Sequence, residues 1–286
     1  MEKEKYEISA VIPVTKMAGK LKNLEETIVN SASNGIEIII VHDLGDKDTS
    51  SQILKMIDGY SNIKFLEGKY GSAGKARNAG IELASSKWIC FWDSDDKPNL
   101  KNIGKLINRT EKDQNNLGYG SFEFSIAEDR KKSFFHVSPQ KTEIISINRF
   151  PGLWRWVFKR DLVNNNRFLD YRLGEDITFL CRLMSFGGNI SSFHGTVYHY
   201  NTGDINQASH FWEKSDSITP VLKFVHSITR NSIFDNELKI IKISFWQALS
   251  SLRKDKMKNK IHSVFYLLNI FVNMLSSIIN KKLKND

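Results

Sequence analysis

The segment Lys87-Trp88-Ile89-Cys90-Phe91-Trp92 runs directly into Asp93-Ser94-Asp95-Asp96, so an apolar run opens onto three carboxylates. Its apolar part has no helical gap, which predicts a buried parallel strand, and open α/β sheets bind ligands at the carboxyl ends of such strands. Three carboxylates crowded there would repel one another, so they favour a bound cation. Asp93 and Asp95 suit Mg²⁺ or Mn²⁺, which prefer oxygen ligands and share them with substrate phosphates. The alternative interpretation is a polar turn that caps the next helix over Asp96 to Asn99.

Strand and helix patterns alternate over the first hundred residues. Apolar runs at 8–14, 36–41 and 62–66 predict three further strands, and residues at helical spacing follow each of them. The alternation predicts an α/β fold with a Rossmann-like doubly wound sheet. We expect the sheet to be mixed, with a hairpin over residues 118–137.

Composition limits the class of protein. The two cysteines, Cys90 and Cys181, lie in apolar surroundings and are expected to be buried thiols of a reducing compartment. A charged amino-terminal segment runs into the first strand, which favours a cytoplasmic protein without a signal peptide. The net charge is +9, and residues 221–286 hold twelve Lys or Arg and four acids, a net of +8. This basic segment suggests an anionic surface as a partner.

The carboxyl-terminal segment suggests which surface that is. The twenty residues between Lys260 and Lys281 carry no formal charge, and a helix of this length could span a bilayer. Their polar side chains fall along one narrow stripe of a helix, so a helix lying in the membrane interface is favoured over one that crosses it. We therefore expect a catalytic domain over 1–215 and a basic, amphipathic helical extension over 216–286, with 253–284 on an anionic membrane at the inner face of the cell membrane. Packing on the catalytic domain or on a second subunit is the alternative, and nucleic acid is disfavoured because the basic run has little aromatic interleaving.

Five short motifs follow one another in an order typical of one family. They are Val11-Ile12-Pro13, His42-Asp43, Ala76-Arg77-Asn78-Ala79-Gly80, Phe91 to Asp96, and Gly174-Glu175-Asp176-Ile177. With these motifs the chain resembles the family 2 glycosyltransferases, which have the A-type nucleotide-sugar transferase (GT-A) fold, over roughly residues 8 to 200. It departs from the family pattern at Thr15-Lys16, at His42 in place of an acid, and at Leu44-Gly45-Asp46.

The resemblance implies a nucleotide-sugar donor and a divalent cation, Mn²⁺ or Mg²⁺. Asp95 is the first choice for the metal, together with Asp93, and His199 is either a further ligand or a structural histidine. Lys75 and Arg77 lie at a helix start that attracts anions, although Arg77 could instead pair with Asp93 or Asp95. The residues predicted to bind the donor are Pro13, Asp43, Lys75, Arg77, Asp93 and Ser94, with Asp43 accepting a hydrogen bond from the base.

The resemblance also implies an acceptor site. Asp176 is the predicted catalytic base, which takes the proton of the attacking hydroxyl in an inverting transfer, and Glu175 lies beside it. The alternative for this pair is simply the acidic first turn of a helix. Trp154 and Trp156 are two apart and would face one side if extended, where an aromatic ring could stack on a sugar or belong to the core.

We therefore predict a metal-dependent inverting glycosyltransferase that acts in bacterial surface polysaccharide synthesis. It transfers a sugar from a nucleotide-sugar donor to a hydroxyl of a glycan or lipid-linked acceptor, and a UDP-sugar is the favoured donor. A sugar nucleotidyltransferase is the alternative enzyme, but Pro13 to Lys20 only weakly imitates its Gly-rich loop. A catalytically silent nucleotide-sugar-binding scaffold subunit is the alternative outside enzymes, and the retention of Asp93, Asp95 and Asp176 argues against it.

Overall fold

Strands and helices alternate in the computed structural model, which describes residues 7–15, 21–43, 45–128, 131–137, 152–171, 174–185, 190–201, 219–231 and 264–272. The first half contains β1 (Ile8–Val14), α1 (Lys22–Ser33), β2 (Glu37–Asp43), α2 (Lys47–Ile57), β3 (Ile63–Gly68), α3 (Ala73–Leu83), β4 (Trp88–Phe91), β5 (Lys97–Pro98), α4 (Leu100–Lys112), β6 (Leu117–Glu128) and β7 (Lys131–Val137). The second half contains a 3₁₀ turn (Leu153–Arg155), β8 (Trp156–Lys159), α5 (Arg160–Asn164), α6 (Glu175–Ser185), β9 (Ile190–Asn201) and α7 (Thr219–Asn231). Residues 264–272 are also helical.

The strands of the described residues form one nine-stranded sheet in the order β3-β2-β1-β4-β8-β6-β9-β5, and β7 pairs with β6. The first four strands in this order are parallel, as the alternation predicts. β8 runs antiparallel between β4 and β6, so the sheet is mixed. The predicted fold class and the hairpin over 118–137 are confirmed.

Side-chain caps decide where the helices next to the ligand-binding edge begin. The Asp46 carboxylate accepts the Thr49 N–H at 2.9 Å, so α2 begins at Lys47. The Asn99 side chain accepts the Asn102 N–H at 3.2 Å and caps α4. The helix cap predicted as the alternative for Asp96 to Asn99 is therefore present, and Asn99 provides it. The carboxylates of Asp93, Asp95 and Asp96 do not cap α4.

The opposite edge of the sheet is held together by Glu37 at the start of β2. Its carboxylate accepts the Lys64 ammonium at 2.5 Å and the Ser85 N–H and hydroxyl, each at 2.8 Å, and it also contacts the Ser9 hydroxyl. Burial alone would raise the pKa of Glu37, but these hydrogen bonds outweigh it and lower the pKa to about 2. Glu37 thus joins β1, β2 and β3 at the end away from the acids.

The contacts divide the chain into two compact units. The first comprises Met1–Pro139, Gly152–Asp170 and Asn189–Asp204, and the second comprises Gln140–Pro151, Tyr171–Gly188 and Ile205–Asp286. The predicted boundary at residue 215 lies within the second unit. The two thiols, Cys90 in the first unit and Cys181 in the second, are buried, as predicted.

In the second unit, the helical residues 264–272 bury one side and expose another. Leu267 and Ile270 are 8% and 1% exposed, and the Tyr266 ring lies 6.0 Å from the His226 ring of α7. The exposed side is apolar and consists of Val264, Phe265, Leu268, Phe271 and Val272, which are 44% to 60% exposed. Within the part of the chain that the structure describes, none of the helices has the length and apolar character needed to cross a membrane.

Candidate functional site

The three acids that follow β4 form a turn, here called the acid turn (Asp93 to Asp96), at the carboxyl edge of the parallel strands. Asp93 and Asp95 are partly exposed, whereas Asp96 is 1% exposed. Burial and then the charges of Asp93 and Asp95 raise the pKa of Asp96 to about 9. Asp93 and Asp95 are therefore the acids of the turn that a ligand can reach.

The acid turn suits a hard divalent cation by the chemistry of its donors. All of its side-chain donors except Ser94 are carboxyl oxygens, and Oδ2 of Asp96 is buried without a hydrogen-bond partner among the described residues. No three His, Cys, Asp or Glu side chains gather to hold a metal in the described ranges. The pattern fits Mg²⁺ or Mn²⁺ held by one or two carboxylates, Asp95 and Asp93, with substrate phosphates completing the coordination.

His199 has a carboxylate partner on the neighbouring strand. Its Nδ1 lies 3.2 Å from Oε2 of Glu123, and its side chain is 47% exposed. The adjacent residue, Tyr198, directs its side chain to the acid turn, and successive residues of a strand point to opposite faces. This contact agrees with a structural histidine, and a role of His199 as a metal ligand stays a prediction.

Arg77 of α3 pairs with the first acid of the turn. Its Nη2 lies 3.2 Å from Oδ1 of Asp93, and its guanidinium lies 5.7 Å from the centre of the Phe168 ring. Arg77 is 8% exposed, so this contact has the structural character predicted as one of its two roles. Lys75 instead makes an exposed ion pair of 2.7 Å with Asp170. Such a pair contributes about 0–1 kcal/mol, so Lys75 can exchange it for an anion.

Asn78 clamps the segment on which Arg77 packs. Its Nδ2 donates to the Phe168 carbonyl at 3.0 Å, and its Oδ1 accepts the Phe168 N–H at 2.9 Å. The Phe168 ring meets Phe91 of β4 edge to face, with centroids 5.2 Å apart. The motif Ala76 to Gly80 therefore ties the residues around Phe168 to the strand that carries the acid turn.

Two predicted donor residues, Asp43 and Pro13, lie at the same edge of the sheet. Asp43 is 5% exposed, and its Oδ1 accepts the N–H groups of Tyr70 and Gly71 at 2.6 and 2.9 Å. It thereby shapes the turn before α3, where Gly71 has a φ of 75°. Pro13 pairs with Val41 of β2, beyond the last β1 residue that pairs with β4, so its missing N–H leaves no gap in the β1–β4 ladder.

His42, where the family has an acid, contacts α2. It is fully buried, and its Nδ1 lies 2.9 Å from the Ser50 hydroxyl of α2. Its neighbour Asp43 faces the turn before α3, because alternate residues of β2 lie on opposite faces. The departure from the family pattern at His42 therefore concerns packing of α2 on the sheet.

The two tryptophans do not share a surface. Trp154 lies in the 3₁₀ turn and Trp156 begins β8, so the pair does not lie along one extended strand. Trp156 is 1% exposed and packs on Tyr119 with ring centroids 5.1 Å apart, which agrees with the core role given as the alternative for this pair. Trp154 is half-buried and stacks on Tyr198 and Tyr200, at centroid distances of 4.9 and 5.1 Å.

Glu175 and Asp176 open α6 of the second unit. Gly174, with a φ of 76°, precedes them, and both acids are partly exposed in the first turn of the helix. Oδ1 of Asp176 accepts the Ile177 N–H at 2.7 Å. The predicted acidic helix start is thus confirmed, while the acceptor and base roles stay predictions.

Three residues that fasten the acid turn carried no predicted role. Nδ2 of Asn23, in α1, donates to the Asp95 carbonyl at 2.6 Å. The Tyr198 hydroxyl accepts the Asp93 N–H at 2.9 Å, and the Asn201 N–H donates to Oδ1 of Asp96 at 2.7 Å. The alternating pattern of residues 197–200 indicates a strand, but the residues it touches depend on where that strand enters the sheet.

Known proteins with similar sequences place this geometry in a family. Residues 9–173, more than half of the chain, match the family model described as Glycosyl transferase family 2. The chain belongs to that family. This family 2 chain is similar to the poly(ribitol-phosphate) beta-N-acetylglucosaminyltransferase TarP of Staphylococcus aureus, with 22% identity over 269 residues. The alignment covers 90% of the chain and 82% of TarP. The chain spans 26%, 70% and 27% of the lengths of three further curated relatives.

Solved structures share its fold. S. aureus TarS 1-349 in complex with UDP-GlcNAc superposes with a TM-score of 0.69 at 17% identity, over 93% of the family 2 chain and 81% of that structure. The mannosyltransferase PcManGT of Pyrobaculum calidifontis, in complex with GDP-Man and Mn²⁺, gives a TM-score of 0.57 at 9% identity, over 94% and 87%. At such identities the likeness shows the fold alone, and it confirms the predicted architecture.

The matched region divides the predicted site of this family 2 chain. Residues 9–173 include the acid turn and all the residues predicted to bind the donor. Glu175, Asp176 and His199 lie beyond it. Family membership therefore bears most directly on the donor side of the site.

Proposed function

We propose that this family 2 chain transfers a sugar from a nucleoside-diphosphate sugar, a UDP-sugar, to a hydroxyl group of a glycan or lipid-linked acceptor in bacterial surface polysaccharide synthesis. One observation carries the proposal: Asp93 and Asp95 lie partly exposed in a turn that neighbouring elements fasten at the carboxyl edge of the parallel sheet. The activity for which TarP is named and the UDP-GlcNAc bound to TarS support the substrate class.

On the donor side, the chain's own residues hold and orient the diphosphate. Asp95 and Asp93 would hold Mn²⁺ or Mg²⁺, which when bound stabilises the negative charge that develops on the leaving diphosphate. Lys75, at the amino terminus of α3, binds a phosphate oxygen in exchange for Asp170. Asp43 and Pro13 orient the base, and Ser94 contacts the donor within the acid turn.

On the acceptor side, Asp176 accepts the proton of the attacking hydroxyl, so the sugar is transferred with inversion. Glu175 orients the acceptor, and Trp154 offers a half-buried aromatic ring for a sugar to stack on. We assign donor and acceptor binding to residues 1–215.

Incubation of the purified protein with a panel of nucleotide sugars tests this function. Release of a nucleoside diphosphate is expected with a UDP-sugar and Mn²⁺, and EDTA should abolish it. Release of pyrophosphate from a nucleoside triphosphate and a sugar phosphate would instead identify a nucleotidyltransferase. Tight UDP binding without turnover of any donor or acceptor would identify a silent binding subunit and contradict the proposal.

An anionic membrane is the proposed partner of residues 253–284, at the inner face of the cell membrane. The apolar side of residues 264–272 is exposed, and lysines flank it in the sequence at 258, 260, 281 and 282. An apolar helix face bordered by cations matches the interface of an anionic bilayer, where the apolar side chains enter the acyl boundary and the lysines meet the headgroups. This partner suits a lipid-linked acceptor.

Leu268→Glu should lower partition of the protein onto phosphatidylglycerol vesicles by about tenfold or more, because the change places a charge on an exposed apolar face. Ser227→Glu, on an exposed position of α7, introduces the same charge and is expected to leave partition nearly unchanged. Sedimentation with the vesicles measures both. Equal partition of Leu268→Glu and the unmodified protein would contradict the membrane contact, as would a change in oligomeric state of Leu268→Glu without vesicles, which would identify a second copy as the partner.

A further inference from the structure

The backbone of the acid turn is held from outside the turn at its beginning and at its end. At the beginning, the Asp93 N–H donates to the Tyr198 hydroxyl. At the end, β5 pairs with β9, with Lys97 opposite His199, and the Asn99 N–H donates to the Val197 carbonyl at 2.8 Å. β9 therefore sets where the turn starts and where it stops.

Tyr198 is the side chain through which β9 reaches the turn. It is fully buried, and its hydroxyl accepts the Asp93 N–H at 2.9 Å. Leaving a buried backbone N–H without an acceptor costs free energy, so the peptide group of Asp93 would rotate to find another acceptor. Such a rotation would move the Asp93 carboxylate, which also pairs with Arg77.

The ring of Tyr198 is itself locked in place. It stacks on Trp154 with an interplanar angle of 17°, and Trp154 meets Phe122 of β6 edge to face at 4.6 Å. The aromatic stack therefore fixes the position of the hydroxyl beside the acid turn. Ligand-binding side chains bind best when surrounding residues fix their geometry before the ligand arrives.

We propose that Tyr198 is a positioning residue whose hydroxyl sets the backbone of the acid turn, so that Asp93 and Asp95 are presented to a divalent cation and a nucleoside diphosphate before either arrives. The inference rests on the proposed function, since it takes the acid turn as the donor site. A tyrosine that served only as core would depend on its ring alone, and phenylalanine would replace it without effect on ligand binding.

Tyr198→Phe removes the hydroxyl and keeps the stacked ring. The probe is Mn²⁺, titrated in the presence of UDP and followed by electron paramagnetic resonance of the free ion. The apparent dissociation constant for Mn²⁺ should rise about tenfold, a range typical of residues that orient metal ligands. The melting temperature without ligands should change by no more than a few degrees, because the packing is retained.

Two variants serve as controls. Tyr119→Phe removes a hydroxyl from another buried tyrosine of the same unit, whose ring packs on Trp156. Glu37→Gln weakens the opposite edge of the sheet and reports what general loss of stability does to binding. Both should bind Mn²⁺ with UDP as the unmodified protein does.

The outcomes separate the inference from the function on which it rests. Equal Mn²⁺ affinity of Tyr198→Phe and the unmodified protein would overturn the inference alone, and so would an equal loss in Glu37→Gln. Failure of Tyr198→Phe to fold, with Tyr119→Phe folded, would also overturn it, because the hydroxyl would then serve the fold. If the unmodified protein neither binds Mn²⁺ with UDP nor turns over a nucleotide sugar, the proposed function fails first.

Discussion

Asp95→Asn should reduce sugar transfer by about a thousandfold, because an amide is a weak ligand for a hard cation and the charge on the leaving diphosphate then loses its main stabilisation. The fold should be unaffected, since Asn23 binds the carbonyl of residue 95 and the side chain is partly exposed. Nucleoside diphosphate release measures the rate. Mn²⁺ titration in the presence of UDP should show the loss of binding directly.

Asp48→Asn is the matched control for that substitution. Asp48 is an exposed acid in the first turn of α2, in the same unit as the acid turn, so the change in charge and in side chain is identical. It should retain transfer and Mn²⁺ binding. Normal transfer by Asp95→Asn, or equal losses in both variants, would show that the acid turn does not hold the cation.

Asp176→Asn should lower transfer by about 10²–10⁴-fold, the usual contribution of a general base, while the affinity for UDP stays within about twofold of that of the unmodified protein. The reason is that the amide cannot accept the acceptor's proton, whereas the donor residues lie on other elements. Transfer to an acceptor and binding of UDP are measured side by side. A loss of UDP affinity that accounts for the whole loss of transfer would contradict a base and indicate a donor contact.

A first-turn acid elsewhere gives the control for Asp176. Asp161 is exposed in the first turn of α5, so Asp161→Asn removes the same favourable interaction with a helix amino terminus. Its transfer rate should remain normal. If Asp176→Asn behaves like Asp161→Asn, the carboxylate serves only to open α6.

Much of the fold followed from short-range pattern. A continuous apolar run before three acids predicts β4 and the position of the acid turn, since burial on both faces of a parallel sheet requires such a run. The hairpin of β6 and β7 and the acidic start of α6 were predicted in the same way. The condition that Trp154 and Trp156 are extended is not met, because a 3₁₀ turn at Leu153–Arg155 interrupts the period of two.

The class of the fold, the order of its motifs and the group of carboxylates after β4 could be predicted from the amino-acid sequence, because each depends on residues close together in the chain. The side chains that fasten those carboxylates could be identified only from the folded structure. Asn23 and Tyr198 are 72 and 105 residues away from the acids they contact. Their role depends on the placement of α1 and on the register of β9, and long-range pairing of this kind leaves no mark in local periodicity.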